Sequence, residues 1–233
     1  MILNKKWEKV TLEKTKYNGI IYLDDKELKS PEGRRLNLPY SISEKVFIEW
    51  KEIKDKIYPD KMPFYAYSVT AVDKILNKEN KILQNLESIL SMDLILFRSK
   101  DDEELYNYIE DLWEPFLEWI NLEFNCRLIV NYELFSVEQN KNEISKCISL
   151  VKHFDHFNFS GFSHIVNLTS SFILGLAFLY KKINVHDLYK LALAEELFQI
   201  KKWGSDEISE IRRKNIKKEI SEACEFLNCL QKK

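Results

Sequence analysis

Glu195 and Glu196 stand side by side in a stretch that continues through Gln199, Trp203, Gly204, Asp206 and Glu207. Adjacent carboxylic acids are the raw material of general acid–base work, one giving a proton while the other takes one. That chemistry needs a nucleophile, a metal ligand set or a cationic partner, and local sequence ties none to this pair. On a helix Glu195, Glu196, Gln199 and Trp203 are spaced to share one side, and Gly204 can end that helix in a left-handed conformation. Two readings therefore stand beside the catalytic one. A charged helical side is commonly just solvated. Acids flanking an exposed tryptophan also make an anchor for another protein, with electrostatic selectivity. Spacing alone leaves all three open.

His153 and His156 form an H-x-x-H that on a helix could offer two imidazoles to one metal, with Asp155 or His164 as third ligand. The competing reading is a polar cluster at a helix end, beside Phe154, Phe157 and Phe159. The four cysteines, Cys126, Cys147, Cys224 and Cys229, include no CxxC pair, and no secretory leader precedes them, so a reduced compartment is expected. Cys224 and Cys229 are five apart and point to different helical faces, so they are expected to be buried thiols rather than co-ligands. There is no Walker loop, dinucleotide fingerprint, GxSxG elbow or HExxH pair. ATP hydrolysis by a familiar route is not expected, and no cofactor is.

The elements that must position these groups fall into two kinds. Val10, Leu12 and Ile20 to Leu23 suggest short strands, Asp24-Asp25 and Ser30 to Gly33 suggest turns, and Leu36 and Leu38 alternate up to Pro39. Ser41 or Ser43 is expected to cap a helix carrying Ile42, Val46, Phe47, Trp50, Ile53 and Ile57. Thr70 is expected to open a helix, and another is expected over residues 81–90. Asp93 to Arg98 has the pattern of a buried strand. From Asp101 a helix carries Leu105, Ile109, Leu112, Trp113, Phe116 and Ile120, with Pro115 expected to kink or break it. Residues 127–137 return to strand. Beyond Gln139 there is no proline, and helices are expected at about 141–152, 160–181, 185–203 and 205–230. Trp50, Trp113 and Trp119 lie within apolar periodic patterns and are expected in the core.

The fold class that follows is α+β: short antiparallel strands with helices over residues 1–139, then an all-α domain over 140–233. A formal net charge of -2 and a pI near 6.2 supply no basic excess, which argues against nucleic acid. The basic run Arg212 to Lys218 is expected on a solvated helix. The uninterrupted apolar stretch Phe172 to Tyr180 falls well short of the roughly 20 residues a bilayer span needs. Residues 1–10 have the pattern of neither a signal nor a transit peptide, so a bacterial cytoplasm is the expected setting, with the mitochondrial matrix for a mature eukaryotic form.

Several motifs in order carry a resemblance. Gly19-Ile-Ile-Tyr-Leu-Asp-Asp-Lys-Glu-Leu-Lys-Ser-Pro-Glu-Gly33 is followed by Leu36-Asn-Leu-Pro39, Glu49-Trp50, Met62-Pro63 and Thr70-Ala-Val-Asp73. Asp93-Leu94, Phe97-Arg98, Trp113-Glu-Pro115 and Trp119 come next, then Ser171-Phe-Ile-Leu-Gly-Leu-Ala177, Glu195-Glu-Leu-Phe-Gln199 and Trp203-Gly204. The chain resembles, over about residues 7 to 230, the assembly chaperones of the alpha subunit of the F(1) sector of ATP synthase. The resemblance implies a non-enzymatic protein with a β-containing N-terminal half and a helical C-terminal half. It would bind the free alpha subunit and protect a surface that the beta subunit later covers. Glu195, Glu196, Gln199, Trp203 and Asp206 are the residues expected at that contact. Tyr65, Ala66, Leu193 and Ile53 stand where the family usually carries other residues, which puts the details of docking in question.

Overall fold

A computed structural model describes residues 3–132 and 137–231. Among these the strands are β1 (Leu3–Asn4), β2 (Val10–Lys14), β3 (Asn18–Leu23), β4 (Lys26–Glu27), β5 (Leu38–Pro39) and β6 (Lys56–Ile57). The α-helices are α1 (Tyr40–Lys51), α2 (Pro63–Val69), α3 (Glu79–Ser91), α4 (Glu103–Phe124), α5 (Lys141–Ser149), α6 (His156–Thr169), α7 (Phe172–Leu179), α8 (Val185–Ala192), α9 (Ala194–Trp203) and α10 (Glu207–Gln231). The α+β class expected from the sequence is the class observed. Backbone contacts gather the chain into two compact units, Met1–Glu79 with Phe154–Phe162 and Glu222–Lys233, and Asn80–His153 with Ser163–Ser221. The compositional change at 139/140 is thus a different division of the chain, because α6 and α10 each contribute residues to both units. No helix among the described residues is long and apolar enough to cross a membrane.

The first unit is built on an antiparallel sheet in which β3 pairs with β2 on one side and with β4 and β5 on the other. Gly19 and Ile21 face inward from β3, and Ile42, Val46 and Trp50 recur every fourth residue along α1 to meet that face. A Cβ on Gly19 would lie 2.2 Å from the Ser43 Oγ, so only glycine lets α1 approach this closely. Neither expected serine caps α1. Its N-terminus has no side-chain cap, since the Ser41 Oγ donates to the Cys229 carbonyl (2.6 Å) and the Ser43 Oγ to that of Tyr40 (2.7 Å). The helix ends at Lys51, which leaves Ile53 beyond it and Ile57 in β6.

Two carboxylates tie distant parts of this unit together. Glu49 on α1 accepts the backbone N–H groups of Phe64 and Tyr65, each at 2.8 Å, and so supplies the acceptors that the first turn of α2 lacks. Burial pushes the Glu49 carboxyl up to about 7 even though those two bonds pull it down. The helix does not open at Thr70 as expected; it starts at Pro63, where a missing N–H costs nothing, and continues over Thr70–Ile75 as a π-turn. Buried Asp73 in that turn accepts from the Ser30 Oγ (2.6 Å) and the Glu32 N–H (3.3 Å), while the Arg34 guanidinium donates to the Val72 carbonyl (2.7 Å). Gly33, at φ +81°, closes the tight turn thereby held.

In the second unit Asp102 caps α4 by accepting from Glu104 and Leu105, both at 3.1 Å, and Ile109, Trp113, Leu117 and Ile120 form its buried stripe. Pro115 does not break the helix, because it lies on the exposed side away from that stripe. Trp113 is fully buried and its Nε1 donates to the Leu191 carbonyl (3.1 Å), whereas Trp119 is half-buried against Phe124 and Tyr180. The expected strand over residues 93–98 is instead a 3-10 turn at Leu94–Leu96. One bridge pairs Phe97 with Asn131, and it is the only pairing of the expected 127–137 strand within the described residues, which exclude 133–136. Ile129 is held at both backbone groups by the Gln139 amide (2.9 and 2.8 Å), so a side chain stands where a neighbouring strand would.

The helix expected over residues 160–181 is divided by Ser170, at φ +52°, into α6 and α7. Asp93 fastens this break. Its Oδ1 accepts from Ile95 (3.2 Å) and its Oδ2 from Ile173 (3.1 Å), while the Leu94 N–H donates to the Ser170 carbonyl (3.0 Å). Ser171 caps α7 through Leu174 (3.0 Å). Desolvation pushes the fully buried Asp93 carboxyl up to about 6, against the pull of the Ser171 hydroxyl and the N–H groups of Ile173, Ile95 and Phe172. A carboxyl whose folded pKa is raised holds its proton more tightly folded than unfolded. Its contribution to stability is therefore fullest below about pH 4 and falls as pH rises to about 6. Denaturation of the parent and of Asp93→Asn across this range should show their stability difference moving against the parent by about 2–3 kcal/mol as pH rises, then levelling off.

Candidate functional site

The expected helix 185–203 is also two. Leu193, buried and at φ -114° with ψ 22°, ends α8 and begins α9. Ala194 and Phe198 face inward from α9, with Phe198 against Tyr108 at 5.3 Å between ring centres. Glu195, Gln199 and Trp203 follow at four-residue intervals on the outer side, and all three are exposed. Trp203 keeps 69% of its surface open, unusually much for so large an apolar group. Glu196 lies about 100° further round the helix and does not join that column.

What Glu196 does is structural. Its Oε2 accepts from Arg212 (2.7 Å) and its Oε1 from Arg213 (3.0 Å), which joins α9 to α10. Arg213 is buried and its second terminal nitrogen donates to the Ser205 hydroxyl. Burial alone would raise the Glu196 carboxyl, but the two guanidinium groups hold it below the ordinary carboxylate range. Glu195 is shifted the other way: removal of water by its surroundings raises it, with Arg98 opposing. Arg98 itself is buried, donating to Glu110 (2.8 Å) with its guanidinium 5.1 Å from the Trp113 ring centre.

The corner between α9 and α10 is set by short-range bonds. Gly204 has the positive φ expected of it, at +85°, but its ψ of -175° is extended rather than left-handed helical, a combination open essentially to glycine alone. Asp206 then caps α10 through the Ser209 N–H (3.0 Å) and hydroxyl (2.6 Å). Lys202 reaches Asp102 (3.1 Å) and Glu104 (3.2 Å) at the start of α4, with its ammonium 5.7 Å from the Trp203 ring centre. Beyond the corner, Ile208 and Ile211 on α10 are 81% and 52% exposed. These two were not singled out from sequence. Their i, i+3 spacing in an otherwise polar run was the available signal.

A cleft of about 560 Å³ in the same unit is lined by Tyr108, Leu112, Phe116, Leu191, Leu197 and neighbours, and neither Glu195 nor Glu196 is among its walls. No group of three or more His, Cys, Asp or Glu among the described residues is placed to hold a metal. His156 stacks on Phe157 at 4.4 Å, and desolvation lowers its pKa, as it does that of His164. All four cysteines are buried and outside any disulfide, and burial pushes the Cys224 thiol up to about 12.

Comparison with known proteins agrees with this fold. The family described as ATP12 chaperone protein matches residues 4–121. The protein from Schizosaccharomyces pombe called "Protein atp12, mitochondrial" is 21% identical over 226 residues, which are 91% of this chain and 78% of that one. The crystal structure of Atp12 from Paracoccus denitrificans superposes with a TM-score of 0.90 at 23% identity, covering 98% of each chain. That of a putative chaperone from Agrobacterium tumefaciens does so with a TM-score of 0.92 at 24% identity, covering 99% of this chain and 87% of the other.

The two adjacent acids should separate on substitution. Glu196→Ala leaves buried Arg213 short of its anion and should lower the free energy of unfolding by about 1–3 kcal/mol, while Glu195→Ala should change it by less than about 0.5 kcal/mol. Urea denaturation of both variants measures this.

Proposed function

The chain belongs to the ATP12 chaperone family, and from that premise we propose that it holds the free alpha subunit of the ATP synthase F(1) sector until the beta subunit takes its place. A subunit that has not met its neighbours exposes apolar surface meant for them, and such surface drives aggregation. A protein that occupies the surface removes the hazard by mass action. Holding and release on this scheme make and break no covalent bond, so no catalytic residue and no nucleotide is assigned. Release follows when beta offers the larger interface. The proposed setting is the bacterial cytoplasm or, for a mature eukaryotic form, the mitochondrial matrix.

The observation that supports a contact at the α9–α10 corner is the column of Glu195, Gln199 and Trp203, open to solvent on a helix whose inner side is firmly packed. An indole left this exposed gains much from burial against a partner, and acids beside it select for a basic rim. Glu196 and Asp206 serve the same contact at one remove: one fastens α9 to α10 and the other starts α10. Ile208 and Ile211 extend the apolar part of the surface.

Trp203→Ala and Glu195→Lys should each reduce the recovery of alpha subunit in a pull-down by about tenfold or more, the range of an interface hot spot. Their denaturation midpoints should stay close to the parent's. Capture undiminished in both variants would remove this corner from the contact. Absence of alpha from material captured by the parent would end the client assignment itself.

A further inference from the structure

The first unit carries a strand edge that the fold leaves open. Among the described residues strand β2 pairs only with β3, in register Val10↔Leu23 through Lys14↔Gly19. The same ladder extends at both ends, with Asp24 N–H donating to the Lys9 carbonyl and Thr15 N–H to that of Asn18, each at 2.8 Å. In an antiparallel pair the bonded residues alternate, so 9, 11, 13 and 15 turn their backbone groups toward β3. Val10, Leu12 and Lys14 turn theirs outward, and among the described residues nothing bonds them. Three residues therefore present a row of donors and acceptors with a repeat of about 6.8 Å, which only another extended chain matches throughout.

A groove runs beside this edge. Side chains of Val10, Leu12 and Lys14 fall on the face of the sheet that carries α1, since Leu12 meets the Gly19 position together with Ser43. Thr11 and Glu13 fall on the other face, where Glu13 accepts from the Tyr22 hydroxyl (3.0 Å). Between β2 and α1 lies a depression of about 680 Å³, its apolar walls formed by Val10, Leu12, Phe47 and Ile48. Ile48 is 47% exposed there. The charges at its rim are already matched: Lys14 with Glu44 at 2.7 Å, and Lys45 with Glu225. An incoming segment thus meets backbone polarity and apolar walls but no unmatched rim charge, so an uncharged, alternately apolar strand is the complementary partner.

We propose that the free edge of β2 and the groove between β2 and α1 take up an extended, uncharged and alternately apolar segment of another polypeptide as an added strand. Its backbone pairs with Val10, Leu12 and Lys14, and every second side chain enters the groove over Leu12, Phe47 and Ile48. Glu13 and Lys14 charge one end of the strand, so the apolar contact is confined to the Val10–Leu12 end. The surface is distinct from the α9–α10 corner, and its occupancy does not depend on which protein is the client.

The test uses the full chain and a blocked, uncharged peptide of alternating valine and threonine, eight residues long, with two serines added at each end. Residue-resolved amide exchange should show the N–H groups of Val10, Leu12 and Lys14 becoming protected on saturation, while those of Thr11 and Glu13, already bonded to β3, stay as they were. The same peptide N-methylated at every residue should bind at least tenfold more weakly, and so should the unmodified peptide to Ile48→Glu. Protection that skips the three outward amides, equal binding of the N-methylated peptide, or no saturable binding overturns the proposal. So does sedimentation showing that the free chain already dimerises through β2, since a second copy would then be the occupant. Pull-down of the alpha subunit is read separately, and neither result determines the other.

Discussion

A buried backbone N–H has to find an acceptor, and in this protein carboxylates borrowed from distant sequence provide it. Glu49 completes the start of α2, Asp73 holds the turn at residues 30–33, and Asp93 spans the 3-10 turn and the start of α7. Each is a charge drawn out of water, and for Glu49 and Asp93 that withdrawal raises the carboxyl well above its ordinary range. The arrangement stands because leaving two or three buried donors unpaired costs more than desolvating one acid that bonds them all. Everything exposed in either unit is displayed on a frame held this way.

The acids of α9 work in the opposite manner. Glu196 is matched by two guanidinium groups and so remains ionised, and Glu195 is left at the surface with Gln199 and Trp203. A pair that looks in sequence like an acid and a base is therefore divided by a rotation of one residue, about 100°, into a fastener and a displayed group. The proposed binding surface needs this division. The fastener keeps the corner rigid, which lowers the ordering cost a partner would otherwise impose.

The proposed binding by display places no chemistry on the acidic pair. The chain has no glycine-rich phosphate loop, and the acidic pair does not line the apolar cleft of its own unit. Its exposed apolar groups include Trp203, Ile208 and Ile211 at the corner and Ile48 beside β2, with Leu122, Tyr17 and Met92 open elsewhere. Open apolar surface of this kind is costly to a chain on its own and useful to one that spends time bound.

Local pattern was enough for much of this. The short N-terminal strands, the stripe of Ile42, Val46 and Trp50, the long helix from Asp102 and the helical character after Gln139 all follow from spacing that a short window contains. Spacing also put Glu195, Gln199 and Trp203 on one side of a helix, but it put Glu196 with them, which the structure turns toward Arg212 and Arg213 instead. The motifs Ser30–Gly33 and Thr70–Asp73, Glu49 and Met62-Pro63, Asp93 and Ser171-Phe172 were legible too, but only as separate stretches.

What tertiary structure alone decided is that hydrogen bonds join these stretches: Asp73 accepts from Ser30, Glu49 from Phe64 and Tyr65 just after Met62-Pro63, and Asp93 from Ile173 just after Ser171-Phe172, each across some 15 to 80 residues. It also decided that residues 94–96 turn instead of extending, and that two expected helices break at Ser170 and Leu193. Periodicity records which side of an element is apolar. It carries no information on where that element stops when the stop is imposed by a carboxylate far along the chain, and so the residue types were determined locally while their pairing was determined by the fold.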